Sequence, residues 1–309
     1  MQEIITQHQV EMLKTMLYFD VFSYPLTREE LFANSALSLS TPEYNAQLED
    51  LFRRGFLKHE GDYILTAHAA PETISRRTHG NAGAAKVMPE AYRYSLKIAS
   101  FPFVEGVCLS GGLSKNYYDR DGDIDYLIMT RPNRLWICRT LLIMRYKMLP
   151  GDKKKFWCIN YFLGATELVI PEKNAFVATE LAHLIPTVNY NFYKDILQHN
   201  AWYKQYYPNK TESASDKAKP IPSSVFRKLA ESLCAGSFGD WLDNKLLSYT
   251  LNRWRKKYPG MAEEDFELQF RSRKNVCKRH THGFQNKVLN SWKEKIETFE
   301  KQFQIRLYA

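Results

Sequence analysis

A chain of 309 residues with 44% apolar and 14% aromatic side chains has material for more than one hydrophobic core, which excludes an intrinsically disordered protein. Its formal charge of +9 is unevenly placed: residues 201–309 carry 21 Lys/Arg against 12 Asp/Glu, whereas the first 200 carry 22 of each. Cys108, Cys138, Cys158, Cys234 and Cys277 are odd in number and lack a CxxC spacing, which argues against a disulfide framework or zinc site. With no signal-like segment and no run of 18 apolar residues, a cytoplasmic protein without membrane attachment is expected.

In chain order, Val10, Leu13, Leu17 and Val21 fall at helical spacing, so residues 8–22 predict a first helix. Thr27-Arg28-Glu29-Glu30 is a capping box for a short second helix. Thr41 with Pro42 reads as the cap and first position of a third, whose apolar face is Leu48, Leu51 and Phe52. FLKHEGDYILTA then reads as two short strands around Glu60-Gly61. Three short helices and a hairpin resemble a winged helix-turn-helix module, for which DNA binding is the usual inference. Residues 1–72, however, hold 5 basic and 11 acidic groups, with Glu43, Glu49 and Asp50 on the would-be recognition helix. Duplex binding needs positive charge to release counterions, so duplex DNA is disfavoured and a packing or partner-binding role preferred.

The Gly/Ala-rich HGNAGAAK stretch precedes a helical segment through Tyr92, Leu96 and Ile98. FVEGVCLSGG is a buried-strand pattern, LSKNYYDRDG a polar connection and DIDYLIMT a second strand. Residues 134–148 predict a helix and FWCINYFL a third strand, followed by helix in two pieces over 176–206, separated near Pro186. Residues 208–224 have linker composition, and beyond them 224–257 and 284–304 predict helices, with DFELQFRSRK a possible strand because it alternates. The expected units are therefore a winged-helix-like module at 1–72, a core at 73–207 and a basic, mainly helical region at 225–309.

The chemistry concentrates in residues 104–129, where Gly111-Gly112 ends one hydrophobic strand and Asp123-Ile124-Asp125 opens the next. Strand side chains alternate, so Asp123 and Asp125 are expected on one face, with Ile124 in the core. Two adjacent carboxylates call for a compensating cation such as magnesium, or manganese in its place, which would take further ligands from water and phosphate. Glycines without side chains let backbone amides approach phosphate oxygens. Each half of this pattern is common by itself; the pair at one spacing between hydrophobic strands is much rarer.

On these residues the chain resembles nucleotidyltransferases of the DNA polymerase β superfamily, whose pattern is a strand, Gly-Gly or Gly-Ser, about ten residues, then Asp-x-Asp in a second strand. The FDVFSYPLT segment also looks like the winged-helix region of bacterial proteins that carry this domain. The resemblance implies an α+β fold with a mixed-sheet nucleotidyltransferase core. It implies magnesium held by the catalytic Asp123 and Asp125, a nucleoside triphosphate held by Ser110, Gly111, Gly112, Ser114 and Lys115, and transfer of a nucleotidyl group to an unidentified small-molecule, protein or RNA acceptor with release of pyrophosphate. Active members place a third acid on a following strand. Here that position falls nearest Asn160, a neutral amide that cannot act as a base, with Glu167 and Glu180 as alternatives. A catalytically weakened, nucleotide-binding regulatory protein, its winged helix turned to a partner, is the second expectation.

Two basic clusters, Arg253 to Lys257 and Arg271 to Arg279, have Trp254, Tyr258 and Phe270 as neighbours. They could hold a nucleotide or RNA, although a solvated helix surface with buried aromatics is the preferred reading. His280 and His282 make at best a weak metal pair.

Overall fold

In the computed structural model, which describes residues 5–70, 72–279 and 283–307, the N-terminal segment follows its local signals. Thr6 and Gln9 cap α1 (Gln7–Asp20) reciprocally, and Thr27 and Glu30 do the same for α2 (Arg28–Asn34). Each helix start thereby satisfies amides that have no partner within the helix. For α3 (Thr41–Arg53) the cap is Ser40, closed by Glu43, rather than the expected Thr41. β1 (Leu26–Thr27), β2 (Leu57–Glu60) and β3 (Tyr63–Thr66) make a small antiparallel sheet in the order β1-β3-β2.

The Gly/Ala-rich stretch is not separate from the helix after it, because residues 72–99 form one helix, α4 (Glu72–Ala99). Its alanines are strong helix formers, and its glycines serve a close approach described below. The main sheet holds β4 (Val104–Ser110), β5 (Asp125–Thr130), β6 (Cys158–Gly164), β7 (Ile185–Val188), β8 (Ser272–Arg273) and β9 (Val276–Lys278), in the order β7-β4-β5-β6-β9-β8. It is mixed: β5 and β6 are parallel, and the other pairings are antiparallel. A parallel pair needs a crossover, supplied here by α6 (Leu135–Lys147).

Three expectations are corrected. Residues 176–206 are not helical throughout: α7 (Ala175–Ala182) and α8 (Tyr190–His199) flank β7, which takes Pro186 into the sheet at its edge, where a missing amide is tolerated. DFELQFRSRK is not one strand, since α11 (Glu263–Phe270) buries Phe266 and Phe270 four residues apart before β8 begins. The polar connection after β4 starts with a single helical turn, α5 (Gly111–Ser114).

Alternation along the central strands sorts side chains between the two faces of the sheet. Val107, Leu109, Tyr126, Ile128 and Phe162 join a core with α4, α6 and α11, and with α10 (Ser237–Lys257), which follows the amphipathic α9 (Val225–Leu233). Cys108, Leu127, Met129 and Leu163 join a second core with the N-terminal helices, α7, α8 and α12 (Phe284–Phe303). The fold is thus α+β, with a helix-rich C-terminal region that also lends two strands to the sheet. Among the described residues no helix is long and apolar enough to cross a membrane.

Candidate active site

The site is built where β4 turns into α5 beside the start of β5. Ser110 pairs in register with Asp125, which brings the glycine turn alongside the carboxylate. Gly111 has φ of +66°, and a Cβ added there would lie 2.3 Å from Asp125 Oδ2. Both its left-handed backbone and this close approach require glycine. Ser114 is buried and its hydroxyl donates to the Gly111 carbonyl at 2.9 Å, so it is spent on the turn. Ser110 is half-buried at the cleft wall, and Gly112 is exposed.

The two aspartates differ from the expected arrangement in one respect. Only Asp125 lies in the strand; Asp123 stands just before it, at the exposed rim. Ile124 is fully buried and its amide donates to the Lys155 carbonyl at 2.8 Å, an anchor that fixes the backbone beside Asp123. Asp125 Oδ1 accepts from Asn160 Nδ2 at 3.3 Å. Burial pushes the Asp125 carboxyl up to about 6, against a hydrogen bond from the Cys158 thiol, and the charges of Glu180 and Asp123 add to the rise. Partial desolvation also raises Asp123, with Lys155 opposing.

Of the three positions considered for a third acid, the structure brings two to the cleft. Asn160 reaches it from β6, next to the irregularity in the β5–β6 register. Glu180 reaches it from α7: Oε2 accepts from the Gly111 amide at 3.1 Å, and Oε1 accepts from Lys115 Nζ at 2.8 Å. Lys115 Nζ also donates to the Gly111 carbonyl at 3.0 Å. A protein carboxylate therefore sits on two of the donors expected to hold phosphate. Glu167 lies beyond the end of β6, approached by Asn275 Nδ2 at 3.5 Å, and does not line the cleft.

These groups border a cleft of about 440 Å³, with Tyr146, Phe176 and Phe284 among its aromatic walls and Lys278 and Arg279 at one side. Such a size suits a nucleotide-sized ligand. Sequence reasoning missed Cys158, although it precedes Asn160 by two and so shares its strand face. Arg279 was visible only as one member of a basic cluster. The aromatics of that region are structural: Trp254 and Phe270 are buried with ring centroids 5.2 Å apart, and Tyr258 packs 4.9 Å from Phe270. His280 and His282 lie outside the described residues. Among the described residues no group of three or more His, Cys, Asp or Glu side chains is arranged to hold a metal ion.

Compared with known proteins, the chain matches no family model, no curated protein and no solved structure.

Proposed function

We propose that this chain is a magnesium-dependent nucleotidyltransferase that moves a nucleoside monophosphate from a triphosphate to an acceptor, releasing pyrophosphate, and that it works in the cytoplasm. The observation that carries this reading is the contact between cradle and carboxylates: Gly111 packs so closely on Asp125 that any side chain would strike Oδ2. A phosphate on the glycine turn would therefore lie beside the aspartates.

The residues present fit a divalent cation. Asp125 is held up at about 6 by burial and by neighbouring carboxylates, an excess of negative charge that a hard cation compensates. Asp123 and Asp125 would supply two oxygen ligands to magnesium or manganese, and water and substrate phosphate would supply the rest. When bound, the ion supplies neutralisation of charge on the attacking and leaving oxygens. The rest falls to the chain. The Gly112 amide, with the Gly111 amide and Lys115 once Glu180 gives them up, orients the phosphates, and the Ser110 strand end positions them against Asp125. The acceptor hydroxyl attacks the α-phosphorus and loses its proton to water at the exposed rim beside Asp123, while the bond to the β-phosphate breaks with its electron pair leaving on pyrophosphate. Asn160 holds Asp125 Oδ1 and takes no proton.

A second reading, a nucleotide-binding regulatory protein with weakened transfer, is favoured by one specific arrangement. The strand neighbour of Asp125 is an amide, and the Glu180 carboxylate is engaged with Lys115 and Gly111. On either reading the N-terminal winged helix serves a partner or the core rather than duplex DNA, because Arg28, Arg53 and Arg54, the cations at α3, are spent on Glu49 and Asp50.

The test is incubation of the protein with the four triphosphates labelled at the α-phosphate, with magnesium and fractions of cell extract, reading label transfer and pyrophosphate release. Asp123→Ala with Asp125→Ala should abolish both, and turnover that survives the pair sinks the assignment. Triphosphate binding that raises the melting temperature, with no acceptor labelled, decides for the regulatory reading.

A further inference from the structure

A second and larger cavity, of about 620 Å³, lies between α4 and the loop that joins the glycine turn to Asp123. Its walls include Val87, Phe156 and the rings of Tyr117 and Tyr118, and Arg76, Lys86, Arg120 and Lys155 stand around it. None of these four cations forms a close ion pair among the described residues, although the charge of Lys155 reaches Asp123. Arg76 Nε donates to the Tyr117 hydroxyl at 3.1 Å, and Lys155 Nζ lies 5.5 Å from the Phe156 ring centroid. Of the two acids at the cavity, Glu90 is paired with Arg93 outside it, which leaves Asp119. Elsewhere in this chain Arg77, Arg131, Arg134, Arg227 and Arg271 all have carboxylate partners. Arg76, Lys86 and Arg120 are exposed and Lys155 is half-buried, so their like charges give the cavity a positive rim that favours an anionic ligand.

The cavity also adjoins the proposed reaction centre. Lys155 borders both it and a small pocket of about 120 Å³ that Asp123, Cys158 and Asn160 also line. Those three residues line the triphosphate cleft as well. The Tyr117 amide donates to the Gly112 carbonyl at 3.0 Å, so a ligand seated over Tyr117 and Tyr118 would lie beside the glycine turn, with Lys155 between it and Asp123.

We propose that this cavity is the acceptor site, and that the acceptor is a small acidic molecule: a flat or apolar body on the tyrosines, a phosphate or carboxylate among Arg76, Lys86, Arg120 and Lys155, and a nucleophilic hydroxyl at Asp123. This rests on the transfer reading above and adds the chemical class of the acceptor. Rigid aromatic walls give affinity to the body, and the unpaired cations select the charge.

The test uses the full chain with 1-naphthyl phosphate, 1-naphthoate and neutral 1-naphthol as probes, followed by titration calorimetry. At least one of the two anions should bind more tightly than 1-naphthol, and which of them is stronger identifies the anionic group. Lys86→Glu with Arg120→Glu, both at exposed positions, should weaken that anion by about tenfold or more, as expected for reversed charges facing it. The same pair should leave 1-naphthol and magnesium-triphosphate binding unchanged. In the labelling assay the anionic probe should compete with the acceptor and not with the triphosphate. Equal binding of anions and 1-naphthol, insensitivity to the charge reversal, or competition with triphosphate each overturns the proposal. Failure of the transfer reading is separately visible, as absence of magnesium-triphosphate binding in the unsubstituted protein.

Discussion

Asp125 combines a charge with a site that disfavours it, and this has a sign that can be measured. Its carboxyl titrates at about 6 in the folded chain against an ordinary value of 3.8. Between those limits the folded state binds more protons than the unfolded state, so stability falls as pH rises through the window and the whole loss is present above about 6. Asp125→Asn removes the charge and keeps an oxygen that can accept from Asn160. In chelator, the variant should therefore be more stable than the parent at pH 7.5, by about 1 to 3 kcal/mol or a few degrees in Tm, with the gap closing toward pH 4. Millimolar magnesium should raise the parent's Tm and not the variant's. A variant that melts below the parent at every pH contradicts this account of the site. Glu180 gives a second prediction. Its charge repels a triphosphate and engages the Gly111 amide and Lys115, so Glu180→Gln should tighten magnesium-triphosphate binding about three- to tenfold in equilibrium dialysis. Unchanged or weaker binding would show that Glu180 assists the ligand instead of competing with it.

At the scale of elements, α4 shows why glycine in a sequence misleads. An Ala in place of a helix-interior Gly ordinarily stabilises by up to about 1 kcal/mol. At Gly83, however, a Cβ would lie 2.2 Å from the Tyr118 carbonyl oxygen, and the same loop is held by the Tyr118 amide, which donates to the Gly80 carbonyl at 3.0 Å. Gly83→Ala should reverse the usual sign, costing about 1 to 3 kcal/mol in urea denaturation by pushing this loop off the helix. A more stable variant would refute the packing argument. The stretch was legible as Gly/Ala-rich but not as helix, because the reason for its glycines is a loop some 35 residues away, on the order of two elements further along. The same distinction runs through the fold. The capping box at Thr27, the β4 and β5 strands and the pairing of the Gly111-Gly112 turn with the aspartates were readable because cap, period and spacing are local. β7 and β9 were not: with four and three residues they carry no period of their own and exist because β4 and β6 offer them edges. Glu180 was legible only as one alternative for a third acid, since no motif marks a residue that α7 delivers to the Gly111 amide and Lys115.

At the scale of the whole molecule, the uneven charge and the shared core pull in different directions. The acidic N-terminal module and the basic C-terminal region attract each other, and the Lys295 Nζ to Asp20 Oδ2 pair at 2.7 Å is one point where they meet. A partly exposed single pair of this kind is worth little, about 1 kcal/mol. What joins the ends of the chain is apolar. Phe299 of α12 is 4% exposed, with its ring centroid 6.1 Å from that of Phe56 in the N-terminal module and 4.6 Å from that of Phe303. Trp292 Nε1 donates to the Lys14 carbonyl at 3.0 Å. The same core runs on through α7 and α8 to the underside of β5 and β6, so the N-terminal module, the sheet and α12 should unfold together. Phe299→Ala, which opens a cavity in this core, should cost about 3 to 5 kcal/mol. It should also leave a single transition, at lower temperature, with tryptophan fluorescence and far-ultraviolet circular dichroism coinciding. Adding magnesium and triphosphate should then raise that one transition as a unit, because a ligand bound only to the folded site stabilises whatever unfolds with it. Two separated transitions, with the substitution moving one and the ligand the other, would mean that α12 and the N-terminal module form a unit whose stability is not tied to the sheet that carries Asp125.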